Sequence, residues 1–216
     1  PALRRAGLEP SSRLRGPRSV VMPSFGLIGS VVCYTDEANE RTVARAVAGV
    51  AGVDFAAYER GGVVTVIGPT GEASIERRGD RFRYRMTDGD PLCVAPALGA
   101  LQAAGLLDAD GFAGEADWCA ATCDGARPDA VRRVYEGLTR HVATPANVVV
   151  ALADGCYAGS PLLDVFAFMQ ATHGNAGRGE SLGFVATTGQ ALPRYLAADD
   201  VWAAIGSPKL AKAPAH

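Results

Sequence analysis

The stretch that decides the fold is Ala146–Gly155, ANVVVALADG. It is an uninterrupted apolar run of strand length, the pattern of a strand covered on both faces in an α/β sheet rather than one facing water. Asp154 and Gly155 mark its end. Asp154 therefore stands where ligands sit in open sheets, and its carboxylate could bind a metal or close the turn.

Working outward, PDAVRRVYEGLTRHV before the run predicts a helix. Pro128 suits its first turn, Asp129 favours the positive end of its dipole, and His141 helps cap the negative end. After the run, PLLDVFAFMQATHG places Leu162, Val165, Phe166 and Met169 at helical spacing. SLGFVATTG then predicts a short buried strand, and LAADDVWAAIG a last helix from about Ala197, followed by a loose tail ending at His216.

Further upstream, LIGSVVCYT (Leu27–Thr35) is β-branched and apolar, EANERTVARAVAGV spaces Val43, Val47 and Val50 as a helix, and VDFAAYER returns as a strand. Leu27 to Arg60 thus predicts one β-α-β unit. The turns at Gly61-Gly62, Gly68-Pro69-Thr70-Gly71 and Gly79-Asp80 cut the next segment into an antiparallel meander. Its last strand, RFRYRM, alternates Phe82, Tyr84 and Met86 against Arg81, Arg83 and Arg85; the arginine stripe is either a solvated face or an anion site. Beyond the turn TDGDP, CVAPALGALQAAGLLDADGF and WCAATCDG are helical.

Composition excludes several classes of function. The chain has 216 residues, 48% of them hydrophobic, enough for a sizeable core. Its 21 basic and 23 acidic residues leave a net charge of -2, no field for nucleic acid or an anionic membrane. The arginines at 4, 5, 13, 15 and 18 lack interleaved aromatics and are read as solvated surface. No apolar run reaches bilayer length, and the first residues lack the apolar centre of a secretion signal. Five scattered cysteines suit free thiols in a reducing compartment, so a soluble, cytoplasmic protein is expected. Cys119 and Cys123, one helical turn apart, are taken as small apolar helix-face residues, since a metal would need two more ligands.

Chemistry-bearing motifs are few. QATHGNAGRGES (Gln170–Ser181) holds one of only three histidines, His173, in a glycine-rich loop. Neutral imidazole is a common zinc ligand, yet a loop histidine can equally bond backbone groups. GNAGRG does not join a strand to a helix in the way a phosphate-cradling loop does. There is no GxSxG, no HExxH and no ordered serine, histidine and acid set.

The succession PALRRAGL, GSVVCYTDEANERTVARAVAGVAGVD, GEASIERRGDRFRYR, ANVVVALADGCYAGS and FMQATHGNAGRGESLGFVATTG resembles the C-terminal portion of the alkaline-phosphatase superfamily. The nearest branch is the type I phosphodiesterase and nucleotide pyrophosphatase group. The likeness covers most of Leu3 to Gly206, with Thr172-His173-Gly174 as its one specific motif. It implies an α/β fold, the C-terminal part of a three-layer α/β/α sandwich with an inserted antiparallel meander or cap. It also implies a hydrolase with two divalent cations, usually zinc, of which His173 is a ligand.

The family's earlier elements, namely the first metal-binding aspartate, the threonine or serine nucleophile, the aspartate-histidine pair and the aspartate-histidine-glycine element, have no counterpart among these residues. The expectation is a C-terminal fragment, inactive alone, whose parent acts on a phosphate ester, with an N-terminal half as its missing partner. On this division residues 1–26 are an N-terminal helix and linker, 27–145 the β-α-β unit with meander and helical cap, 146–206 the segment carrying THG, and 207–216 the tail. The alternative is a non-catalytic α+β interaction or structural module in which His173 is a satisfied loop residue.

Overall fold

A computed structural model describes residues 1–24, 27–140, 143–159, 174–188 and 191–204. His141, residues 161–173 with the expected apolar helix and His173, and the tail with His216 lie outside the described residues.

The apolar run VVVAL is a strand inside a seven-stranded sheet, next to one edge. The N-terminal part supplies a short helix α1 (Ala2–Arg5) and a parallel pair, β1 (Glu9–Ser11) with β2 (Ser19–Val21). Then come β3 (Ser30–Cys33), α2 (Glu40–Ala48), and the meander β4 (Val53–Arg60), β5 (Val63–Gly68), β6 (Gly71–Arg78) and β7 (Arg81–Gly89). They are followed by α3 (Ala95–Ala103), β8 (Ala113–Gly114), α4 (Glu115–Thr122), α5 (Ala130–Thr139) and β9 (Val148–Leu152). The sheet order is β3-β9-β4-β5-β6-β7-β8.

The expected β-α-β unit is present, but its two strands are not neighbours. β9 lies between them and is antiparallel to both, with Val31 opposite Val150 on one side and Ala56 opposite Val150 on the other. The chain is thus mixed α/β with an antiparallel sheet.

Both faces of that sheet are buried, which is why β9 carries no polar alternation. Val148, Val150 and Leu152 face one core with Val43, Ala44 and Val47 of α2 and Leu3 of α1. Val149 and Ala151 face the other, with Val131, Tyr135 and Leu138 of α5 and Trp118 of α4. Entry into β9 is fixed by Asn147. Its Oδ1 accepts the Thr35 amide at 3.0 Å and its Nδ2 donates to Glu40 at 3.0 Å, joining the end of β3 to the start of α2.

The meander forms as its turns predict, in register from Ala56 opposite Ile67 to Arg78 opposite Arg81. Phe82 and Tyr84 are buried, whereas Met86, expected on the same face, is 41% exposed. The ladder shifts by one residue between Glu72 and Ala73, just beyond Met86. Tyr84 donates to Asp90 Oδ1 at 2.8 Å, while Asp90 Oδ2 accepts the Ala95 amide at 2.7 Å and so anchors the start of α3.

Asp129 stands at the start of α5, where its sequence position puts it, at φ 52° with its carboxylate on Arg132 Nε at 2.8 Å. One local reading is corrected. SLGFVATTG is not a buried strand: residues 182–188 are exposed, Phe184 at 94%. Burial of a strand needs a sheet partner, and none pairs with this segment among the described residues.

Candidate functional site

The sequence singled out His173, and the segment that follows it shows how that loop is held. Gly174 sits against the start of β3, at φ 103°, where an added Cβ would lie 3.2 Å from Ser30 Oγ. A side chain is disfavoured there twice over, by the left-handed φ and by crowding. Asn175, only 5% exposed, donates from Nδ2 to Asp154 Oδ1 at 2.9 Å and accepts the Gly177 amide on its own Oδ1 at 2.8 Å. Gly177 packs so closely on Asp154 that a Cβ would collide with the carboxylate. Since Ser30 is paired with Ala151, this contact lies where β9 ends and β3 begins.

The loop is tied on its far side to the α4–α5 connection. The Arg178 amide donates to Ala126 O at 3.0 Å, and its Nη1 donates to Cys123 O at 2.8 Å. Arg133 reaches across from α5 to Ser181 Oγ at 2.8 Å. Residues 178–181 form one helical turn. The Gly177 and Arg178 amides are committed to these bonds.

Asp154 thus closes a turn rather than standing free: one oxygen is occupied by Asn175, and Gly155 continues at φ 78°. Among the described residues no group of three or more His, Cys, Asp or Glu side chains is placed to hold a metal ion.

Two of the three stripe arginines, Arg81 and Arg83, are engaged with neighbours, while Arg85 is exposed. Arg83 Nη2 lies 2.6 Å from both Glu76 oxygens, Arg81 donates to Phe112 O at 2.7 Å, and Arg78 lies over the Phe112 ring at 4.3 Å. Arg78 also pairs with Asp108 and Asp110. Anion binding would have to break these pairs.

Cavities border the loop unevenly. A small one of about 150 Å³ lies between α5 and the sheet, lined by Ser30, Arg133, Gly174 and Asn175. Away from the loop, a cavity of about 710 Å³ lies between α4, Arg132 and residues 193–197, 200 and 204, and one of about 760 Å³ lies between α1, α2 and β9. Sequence reasoning missed Asn175, the residue that clamps the loop, because its burial and its bonds are made by the fold.

Asn175→Ala is expected to cost about 1–2 kcal/mol, because it removes two bonds and strands the Gly177 amide. Native-state hydrogen exchange checks this: Gly177 should exchange at least about 10-fold faster, and an unchanged rate would show that the clamp is unimportant.

No family model matches the chain, and neither a curated protein nor a solved structure is significantly similar to it.

Proposed function

We propose that these residues are the C-terminal part of a metal-dependent phosphoric ester hydrolase of the alkaline-phosphatase type, with a phosphodiester or related ester as substrate. On this reading the seven-stranded sheet and its two helical faces are the C-terminal part of a three-layer α/β/α sandwich, and β4–β7 are the inserted meander. His173 is one ligand to one of two divalent cations, in keeping with zinc's preference for imidazole. The observation that carries the reading is the clamp of Gly174–Gly177 onto Asp154, which fastens the segment beside Thr172-His173-Gly174 to the turn after β9.

The described residues do not fit a complete metal site. No step of the hydrolysis is therefore assigned to them; their role is to position a loop. A partner of phosphate-ester chemistry and an N-terminal half carrying the nucleophile belong to the same proposal.

The full natural polypeptide containing these residues should hydrolyse bis(p-nitrophenyl) phosphate with zinc present. His173→Ala should lower kcat/KM by at least about 100-fold, since loss of even an outer contact to a metal ligand costs 10–100-fold. Equal rates for the two proteins would overturn the proposal.

A second reading, a non-catalytic α+β interaction module, draws on the exposed apolar segment Leu182, Phe184 and Val185. Exposed apolar patches mark partner surfaces. On that reading the natural polypeptide binds no zinc and Phe184→Ser leaves its fold unchanged while weakening association.

A further inference from the structure

The 710 Å³ cavity beside α4 has walls and charges that nothing in the proposed hydrolase role uses. Its size lies within the range of small-molecule sites, which are mostly apolar with a few placed polar groups. The apolar wall is the face of α4 formed by Ala116, Cys119 and Ala120, opposed by Pro193, Leu196 and Ala197. Burial pushes the Cys119 thiol up to about 12, so it is protonated at neutral pH and belongs to the uncharged wall. The opposing segment is held from outside. Asp124, just after α4, accepts from Tyr195 Oη and pairs with Arg194 at 3.2 Å.

Four charged side chains face the cavity: Glu115, Arg132, Arg194 and Asp200. Both cations are already held by carboxylates. Arg132 donates from Nε to Asp129 Oδ2 at 2.8 Å and pairs with it through Nη2 at 2.7 Å, while Arg194 pairs with Asp124. Glu115 and Asp200 make no ion pair or side-chain hydrogen bond among the described residues, and Glu115 acts on Arg132 only through its field. The uncompensated charge is therefore negative.

The second observation lies behind Arg132. Asp129 is 7% exposed, and its Oδ1 has no hydrogen-bond partner. A buried anion short of partners is costly, and positive charge brought into the neighbouring cavity offsets part of that cost.

We propose that this cavity binds an organic monocation, a protonated amine carried on a compact apolar body. The body packs on the Ala116 and Ala120 face, and the ammonium is matched by the carboxylates of Glu115 and Asp200. An anion of the same shape is disfavoured, because the guanidinium groups are taken up by Asp129 and Asp124 while two carboxylates repel it. A bare metal ion fits poorly, since the described residues offer no group of three ligands.

The test is isothermal titration of the full natural polypeptide with three probes of one shape and different charge: 2-phenylethylamine, 2-phenylethanol and phenylacetate. The amine should saturate one site with a dissociation constant of about 1 mM or below, at least about 10-fold tighter than the alcohol, with phenylacetate weakest. Glu115→Gln and Asp200→Asn should each weaken the amine by about 3–5-fold, the size of a solvent-accessible ion pair, and leave the alcohol unchanged. Ala120→Phe, at an exposed position of α4, should fill the cavity and abolish binding of both with the melting curve retained. No saturable binding of the amine, equal affinity for amine and alcohol, a tighter phenylacetate, or amine binding untouched by the carboxylate variants or by Ala120→Phe would overturn the proposal. None of these outcomes bears on phosphoester hydrolysis.

Discussion

Trp118→Ala is expected to lower stability by about 4 kcal/mol, the middle of the range for a deleted core aromatic. Trp118 is fully buried in the core shared by α3, α4, α5 and the meander, where it is the largest side chain. Its indole also donates to Phe82 O at 2.9 Å, tying α4 to β7. The substitution leaves a cavity and removes the donor for that carbonyl. Phe82 itself packs edge-on to Tyr135 at 5.7 Å, so the loss passes to α5. At about 2–4 °C per kcal/mol for a chain of this size, the melting temperature should fall by roughly 8–16 °C. Urea unfolding with an unchanged m value gives the free energy directly, and a loss under about 1 kcal/mol would contradict this packing.

Asp54→Ala should cost about 3 kcal/mol, the low end of what breaking a buried ion pair costs. The β4–β9 register slips between Val53 and Phe55, and the extra residue is Asp54. Such a bulge re-aims a side chain, and here the carboxylate meets Arg127 in a two-pronged pair, with Nε to Oδ2 at 2.8 Å. Arg127 Nη1 already lacks a partner, so removing Asp54 leaves a buried cation almost bare. The next residue back, Ala126, accepts the Arg178 amide, so the pair also holds the connection onto which the candidate loop is tied. Asp54→Asn, which keeps one acceptor, should recover about a third of the loss. If alanine and wild type unfolded at the same urea concentration, the pair would be only a surface contact.

How much of this was legible in the sequence follows from what is local and what is not. The turns at Gly61-Gly62 and Gly79-Asp80 and the alternation around Phe82 and Tyr84 are local, so the meander could be read directly. VVVAL announced a strand covered twice, and it is. Nothing in its own residues said that it would insert between β3 and β4 in antiparallel sense, because strand partners are chosen by long-range closure and by contacts such as Asn147 to Thr35 and Glu40. Composition misled at Leu182–Thr188, where an apolar run was taken for a buried strand. Asp129 stands at the start of α5 as read, while its left-handed backbone and its ion pair with Arg132 are tertiary facts that the sequence did not announce. For the candidate site, Gly174 and Asp154 stood out as sequence features, while the Asn175 clamp between them emerged only from the fold.

His173 remains the residue on which the hydrolase proposal turns. Metal content of the full natural polypeptide, purified without chelator and measured by atomic emission, tests it most directly. Two zinc ions per chain are expected in the wild type, falling to one or fewer in His173→Ala. A metal-free wild type, or the same zinc content in both, would contradict the assignment.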